Sequence, residues 1–504
     1  MRTKPAASAA GGSNPDSAPP AGRVYNQKLA VGVVYVAALF MNIMDTTIVN
    51  VALPTLGREF HVAPAAVDIV VIGYLVSLAV FIPASGWIGD RFGAKRVLLV
   101  AIGIFTLASA LCGAATSLDE LVVFRVLQGV GGGMLIPVGM AMLYRTFPPA
   151  ERVRVAGLLM LPTALAPALG PVLGGLLVTD LSWRWVFYVN LPVGLAALVF
   201  GLVCMQERRE PDPGRFDLAG FALAAIGFAS LMYGLSEGPS KGWLTIGIVG
   251  PVAVGAVLIV ALVMIERRTA LPLIDIGLFR DRMFAVANVL VTMTMLAFFG
   301  VLYLVPLFYQ DGRGLSALGS GLSTFPEAIG VLIAAQVVSR YLYPVVGPRR
   351  LMASGLVGIA VATALMSLVG PHTSLWWMRL LMFCLGYCIP HVMMSMQAAA
   401  FATVPSESTG RASTLFNAQR QLGGAIGVAL LSTVVAAVGP FVVVAGHRLP
   451  HLAAYHAAFL TAAGVALLAS VMALRWVHDI DAAATMVRRV SRPAVGATVA
   501  RGGS

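Results

Sequence analysis

Charge is what this sequence has least of. Only 11% of its 504 residues are Asp, Glu, Lys or Arg, against about 25% in an ordinary soluble domain. Lysine is nearly absent: Lys4, Lys28, Lys95 and Lys241 are the whole set, and none follows a glycine. The GxxxxGK[ST] loop that cradles nucleotide phosphates is therefore missing, which excludes a P-loop ATPase. The glycines at Gly129, Gly131, Gly132 and Gly133 do not replace it. They lie inside an apolar run, where glycine serves close helix packing. Cysteine is scarce too, and Cys112, Cys204, Cys384 and Cys388 all fall in apolar runs. Cys384 and Cys388 are one helical turn apart, a spacing unsuited to a disulfide. His447, His451 and His456 cluster near one another without an acid or a cysteine, so no metal is expected. No nucleophile–base constellation stands out, so neither an enzyme nor a cofactor is expected.

What is abundant is apolar sequence. Hydrophobic residues make up 59% of the chain and the mean hydropathy is +0.87. A water-exposed surface cannot be built from that composition. Runs close to the ~20 residues a helix needs to cross a bilayer recur along the whole length. Fourteen are expected, over 29–51, 67–88, 97–116, 120–142, 155–178, 186–205, 217–236, 244–265, 284–308, 318–339, 351–370, 376–400, 411–435 and 456–477. The intervening segments leave no room for a sizeable soluble domain. The fold class is an all-α polytopic membrane protein. Residues 1–22, rich in Ala, Pro, Gly and Ser, read as a disordered tail. No signal peptide is expected ahead of the first run.

The basic residues orient the chain. Of its 34 lysines and arginines, Arg58, Arg184, Lys241, Arg313, Arg379 and Arg448 fall in loops or at run ends on the side opposite the termini. Arg125 and Arg420 fall within runs, and all the others lie on the terminal side. This bias predicts N-in, C-in topology. It also explains the net charge of +12 by loops facing anionic lipid rather than by nucleic-acid binding.

Two acids lie well inside runs, away from their ends. Asp45, in MNIMDTTIVNVALP, costs about 2.5–3.5 kcal/mol on insertion scales. Either it is a structural carboxylate held by neighbouring hydroxyls, with Thr46 and Thr47 at hand, or it loads and releases a proton. Met41 and Asn42 share its helix face one turn earlier. Glu327, in STFPEAIG, follows Pro326; it is a coupling or cation-recognition group, or a lateral pairing residue. Arg125 is expected to face the interior, and Arg420 with Asn417 and Gln421 forms a polar face on run thirteen. Tyr74, Phe298, Phe299, Tyr303 and Tyr387 either line an adaptable cavity or are ordinary packing residues.

Six stretches carry a family resemblance. GWIGDRFGAKR (Gly86 to Arg96) resembles the G-x-x-x-D-R-x-G-x-[RK]-[RK] loop of the major facilitator superfamily, although Ala94 stands where the family often has a base. RVLQGVGGG (Arg125 to Gly133) resembles its fourth-span motif. LGPVLGG (Leu169 to Gly175) resembles its antiporter motif. WRWVFYVNLPVG (Trp183 to Gly194), MDTTIVNVALP and NAQRQLGGAIGVAL (Asn417 to Leu430) are similar to the fourteen-span, EmrB/QacA-like drug:proton antiporters. The match departs at Ile69 and Ile72, where that branch often shows Trp and Thr. It departs again at Arg340 to Arg350, which keep only Gly and bases of the loop motif.

The resemblance implies two six-helix halves over 28–206 and 271–478, a two-helix insert over 207–270, and cytoplasmic tails at 1–27 and 479–504. A weak internal repeat agrees, aligning PPAERVRVAG with VPSESTGRAS. It implies a monomer in the cytoplasmic membrane that exchanges protons for a small-molecule substrate, with Asp45, Arg125 and Glu327 in proton coupling. Gly86, Asp90, Arg91, Gly93, Lys95 and Arg96 form the gate, and Gly170, Pro171, Gly174 and Gly175 mark export. Met41, Asn42, Tyr74, Phe298, Asn417 and Arg420 are cavity candidates. Asp90 is expected near the start of run thirteen, about Ser408 to Ala412. The expected function is multidrug efflux of amphipathic or cationic compounds. The alternative is export of one endogenous lipid, siderophore, antibiotic or amino acid.

Overall fold

The computed structural model describes residues 26–62, 67, 69–207, 216–269, 272, 274–444 and 447–486. The expected N-terminal tail and most of the C-terminal tail lie outside them. Among the described residues are fourteen helices long and apolar enough to cross a membrane: α1 Gln27–Glu59, α2 Ile69–Phe92, α3 Ala94–Ala114, α4 Leu118–Thr146, α5 Arg152–Leu176, α6 Trp185–Cys204, α7 Leu218–Lys241, α8 Ile246–Glu266, α9 Arg282–Gly312, α10 Gly319–Val346, α11 Pro348–Met366, α12 Leu375–Ala400, α13 Thr409–Val438 and α14 Leu452–Trp476. A helix satisfies its own backbone, which is what a lipid environment demands.

The ends are set locally. Asn26 accepts from Lys28 N, Ser117 from Glu120 N, Asp217 from Gly220 N and Asp281 from Phe284 N, capping α1, α4, α7 and α9. Several helices outrun their apolar runs. α1 continues past residue 51 to Glu59, because backbone bonding persists beyond the hydrocarbon depth where Arg58 and Glu59 meet water. One short antiparallel hairpin, β1 Phe441–Val444 with β2 His447–Pro450, joins α13 to α14. It is the exception to the all-helical expectation among the described residues.

The packing repeats itself. In the first half α1 packs on α5, α2 and α3 pack on α4, and α1 and α3 pack on α6. In the second half α9 packs on α13, α10 and α11 pack on α12, and α9 and α11 pack on α14. The halves meet through α2 with α13 and through α5 with α10, the same pairing with the roles exchanged. The inserted pair, α7 and α8, packs on itself. α7 also lies against α2 and α13, so it covers one of these two seams, and Trp243 Nε1 donates to Thr433 Oγ1 at 2.8 Å.

A second trace of the repeat lies at the face that carries both ends of the helical bundle, here the terminal face. Gly93 has φ +97°, and the Glu207 carboxylate accepts from Lys95 N at 3.1 Å and Arg96 N at 3.0 Å. Gly347 has φ +80°, and Asp479 accepts from Arg349 N at 2.8 Å. In each half an acid that follows the sixth helix caps the third, where helix amides favour negative charge. Only glycine takes those φ values without strain.

Candidate functional site

The buried charge cluster is built from α1, α4 and α6. Asp45 is fully buried and Arg125 is 1% exposed. Arg125 Nη1 donates to Asp45 Oδ2 at 2.6 Å, Gln128 Nε2 to Asp45 Oδ1 at 2.8 Å, and Asn190 Nδ2 to Asp45 Oδ1 at 3.1 Å. Each contact brings a donor to a carboxylate oxygen, the pattern of an ionised acid. Arg125 is held from its other sides by Gln128 Oε1 at 2.7 Å, by Val70 O at 3.3 Å and by the Tyr74 ring, 4.2 Å below the guanidinium. Asn190 also donates to Ser109 Oγ, which donates to Phe187 O. One carboxylate thus ties three helices together.

The sequence shows why it assembles there. Arg125 and Gln128 are one turn apart on α4, so both reach the same partner. The glycines that follow admit the neighbouring helices. A Cβ on Gly129 would meet Tyr74 O at 2.6 Å, one on Gly131 would meet Ala101 O at 2.7 Å, and one on Gly132 would meet Asn42 Nδ2 at 2.9 Å. Asn42 Nδ2 in turn donates to Tyr74 OH at 2.9 Å. On α5, Gly170 and Gly174 face Thr47 and Ile48 of α1, whereas Gly175 faces open space; Pro171 lies in the same helix. Gln128, Asn190 and Ser109 were not singled out from sequence. The signal for the first two was present, since they are the Gln of RVLQG and the Asn of WRWVFYVN.

Asp90 lies 5% exposed at the terminal end of α2. Arg145 Nη2 of α4 donates to it at 2.8 Å, and a Cβ on Gly410 would stand 3.0 Å from its carboxylate. It therefore sits against the first turn of α13, in the second half. Gly86 is beside it, with Thr414 Oγ1 2.7 Å from where its Cβ would be. Ser85 and Thr414 hydroxyls are 3.3 Å apart, Ser413 donates to Pro137 O at 2.8 Å, and Arg152 donates to Phe401 O. These contacts join the halves at the terminal face. Lys95 and Arg96 turn the other way, to the end of α6. Lys95 Nζ donates to Leu202 O and Met205 O, and Arg96 lies 3.8 Å from Glu207. Arg91 is exposed.

Glu327 and Arg420 do not join the Asp45 cluster. Glu327 is 6% exposed, with no charged group acting on it. Its backbone is packed against Gly386 of α12, where a Cβ would collide with the Glu327 carbonyl. Arg420 is partly exposed, and its one electrostatic neighbour is Tyr35. Met41, Asn42, Tyr74, Phe298 and Asn417 are all buried. None of these seven lines the large cavity of about 1200 Å³ between α1, α5 and the terminal end of α10, whose wall includes Val33, Val36, Phe40, Leu159 and Pro162 and whose rim carries Lys28, Glu151 and Arg340. His451 and His456 are held by backbone carbonyls of Gly439 and Val369.

The family model for the Major Facilitator Superfamily matches residues 35–428. The Multidrug resistance protein B homolog of Mycobacterium tuberculosis is 35% identical over 420 residues, covering 81% of this chain and 77% of that protein. Multidrug resistance protein Stp of the same species is 34% identical over 403 residues, covering 79% and 74%. The crystal structure of the human organic anion transporter MFSD10 (TETRAN) superposes with a TM-score of 0.65 at 16% identity, covering 88% of this chain and 99% of that one, which is a likeness of fold. The chain belongs to the Major Facilitator Superfamily.

Proposed function

We propose that the protein is a proton-coupled antiporter that exports amphipathic drugs and toxic compounds across the cytoplasmic membrane. The observation that carries this reading is the Asp45 cluster. A buried carboxylate that holds α1, α4 and α6 through Arg125, Gln128 and Asn190 changes its bonding on protonation. A proton on Asp45 cancels the ion pair with Arg125 and converts one acceptor into a donor, which loosens α1 from α4 and α6. Proton loading at one face and release at the other would then alternate with substrate movement between the halves.

The skew of Lys and Arg supports placing the terminal face in the cytoplasm. On that orientation the Asp90 contacts with Arg145 and Gly410 close the cytoplasmic side, and the large cavity opens at inner-leaflet depth. Its apolar wall and charged rim suit a guest with an apolar body and a polar head. Two of the relatives are named for multidrug resistance, which favours a broad substrate range over a single endogenous compound. The protein works as a monomer in this reading.

The test is reconstitution of the full chain into liposomes with an imposed pH gradient and a panel of dyes and drugs. Substrate addition should dissipate the gradient and accumulate the compound on the acidic side. A gradient untouched by every compound, with no substrate movement, refutes the reading.

A further inference from the structure

Among the described residues Arg420 is a cation without a counterion in the middle of the membrane-spanning bundle. It is the twelfth residue of α13, about 17 Å from the start of the helix at 1.5 Å per residue, too deep to reach water at the terminal face. It does not point to lipid. Ser413 and Asn417, which precede it on the same stripe of α13, face the first half across the seam, touching Pro137 O and Met140 Sδ of α4. The neighbour of Arg420, Tyr35 of α1, is itself 2% exposed. Arg420 thus lies between the halves, one turn past the last of these cross-half contacts, and is partly exposed there.

Neither acid within the described spans pairs with it. Asp45 is occupied by Arg125, Gln128 and Asn190. Glu327 feels no charged neighbour, and Arg420 feels only Tyr35, so the two do not pair. A buried arginine left without an anion is costly, and within a membrane protein such a residue faces a substrate path or a partner. Its planar fork of donors fits the two oxygens of a carboxylate or a phosphate-type group.

We propose that Arg420 is an anion-recognising residue at the seam between the halves, apart from the large cavity beside α1 and α5, taking a carboxylate or similar oxyanion on an otherwise apolar substrate. The proposal rests on the exporter reading for its biological role, but the binding it predicts is independent of proton coupling. It adds amphipathic organic anions to the substrates, beside the neutral or cationic compounds that the acids within the spans suggest.

The experiment measures equilibrium binding of a carboxylate dye and of its neutral methyl ester to the purified full chain, in wild type, Arg420→Gln and Arg420→Lys. Proteoliposome flux of both dyes is measured in parallel. Wild type is expected to bind the carboxylate at least tenfold more tightly than the ester. Arg420→Gln should lose that preference, its affinity for the carboxylate falling to within about threefold of that for the ester, and Arg420→Lys should keep part of it. No preference in wild type, or an undiminished preference in Arg420→Gln, overturns the proposal. If Arg420→Gln does not fold, the decision passes to Arg420→Lys, whose preference must fall at least threefold for the proposal to stand. Binding preference without pH-driven flux of either dye refutes the exporter reading and leaves this one standing. A phospholipid that co-purifies with wild type, is lost from Arg420→Gln and is not displaced by the carboxylate dye assigns the site to a lipid phosphate and overturns the substrate assignment.

Discussion

Asp45 of the first membrane helix and Arg125 of the fourth are joined by a 2.6 Å ion pair with almost no exposure on either side chain. A pair so deeply buried adds little net stability, but breaking it from one side is severe. Arg125→Gln should therefore lower stability by about 3–5 kcal/mol, because the Asp45 charge is stranded. Asp45→Asn should be milder, since Arg125 keeps Val70 O, Gln128 Oε1 and the Tyr74 ring. The double variant Asp45→Asn/Arg125→Gln should regain most of the stability lost in Arg125→Gln and remain unable to couple. Thermal unfolding of the four proteins in one detergent checks the order. A double variant less stable than Arg125→Gln contradicts it.

The contact of Asp90 with Arg145 and the start of α13 predicts a gating effect. Asp90→Ala should weaken the closure at the terminal face. A cysteine introduced at Asn417, buried beneath that closure, should label severalfold faster from the terminal side in Asp90→Ala than in its parent, and turnover should fall. Equal labelling together with normal flux removes Asp90 from the gate.

The two caps at the terminal face predict a smaller, purely structural effect. Glu207→Gln and Asp479→Asn should each cost about 1 kcal/mol, the usual scale of a lost cap or dipole contact. The losses should add, because the caps lie in different halves. Melting temperatures of the single and double variants report this, and a strongly non-additive double variant argues that the two caps do not act separately.

Glu327 sits in the second half with no charged partner. If it recognises cations, Glu327→Gln should slow efflux of a cationic substrate more than that of a neutral one, both normalised to folded protein. A parallel fall in both rates, or none, leaves Glu327 as a packing residue at the α10–α12 contact.

The membrane class and the count of helices were legible because apolar run length is a one-dimensional signal. So was the placement of Asp90, because its motif and the start of α13 fall at the same end of facing helices. Gln128 and Asn190 stood in quoted motifs, but nothing in spacing along the chain tells that residues from α4 and α6 converge on Asp45. The Glu207 and Asp479 caps were hidden for a similar reason. Each acid follows the sixth helix of its half and acts on the third. The second-half loop from Arg340 to Arg350 has Pro344 where the first has Asp90, and the acid that caps its helix, Asp479, comes from about 130 residues later. Arg420 read as a polar-face residue, and that it lacks a counterion became visible only when the partners of both acids were known.

The most direct measurement compares two fluxes of one substrate in proteoliposomes holding wild type or Asp45→Asn. One is efflux driven by an imposed pH gradient; the other is substrate exchange at equal pH on both sides, which needs movement between the halves but no net proton transfer. Asp45→Asn should lose the gradient-driven flux and retain exchange within a few-fold of wild type. Gradient-driven flux at the wild-type rate in Asp45→Asn would contradict the assignment of Asp45 as the proton-carrying group.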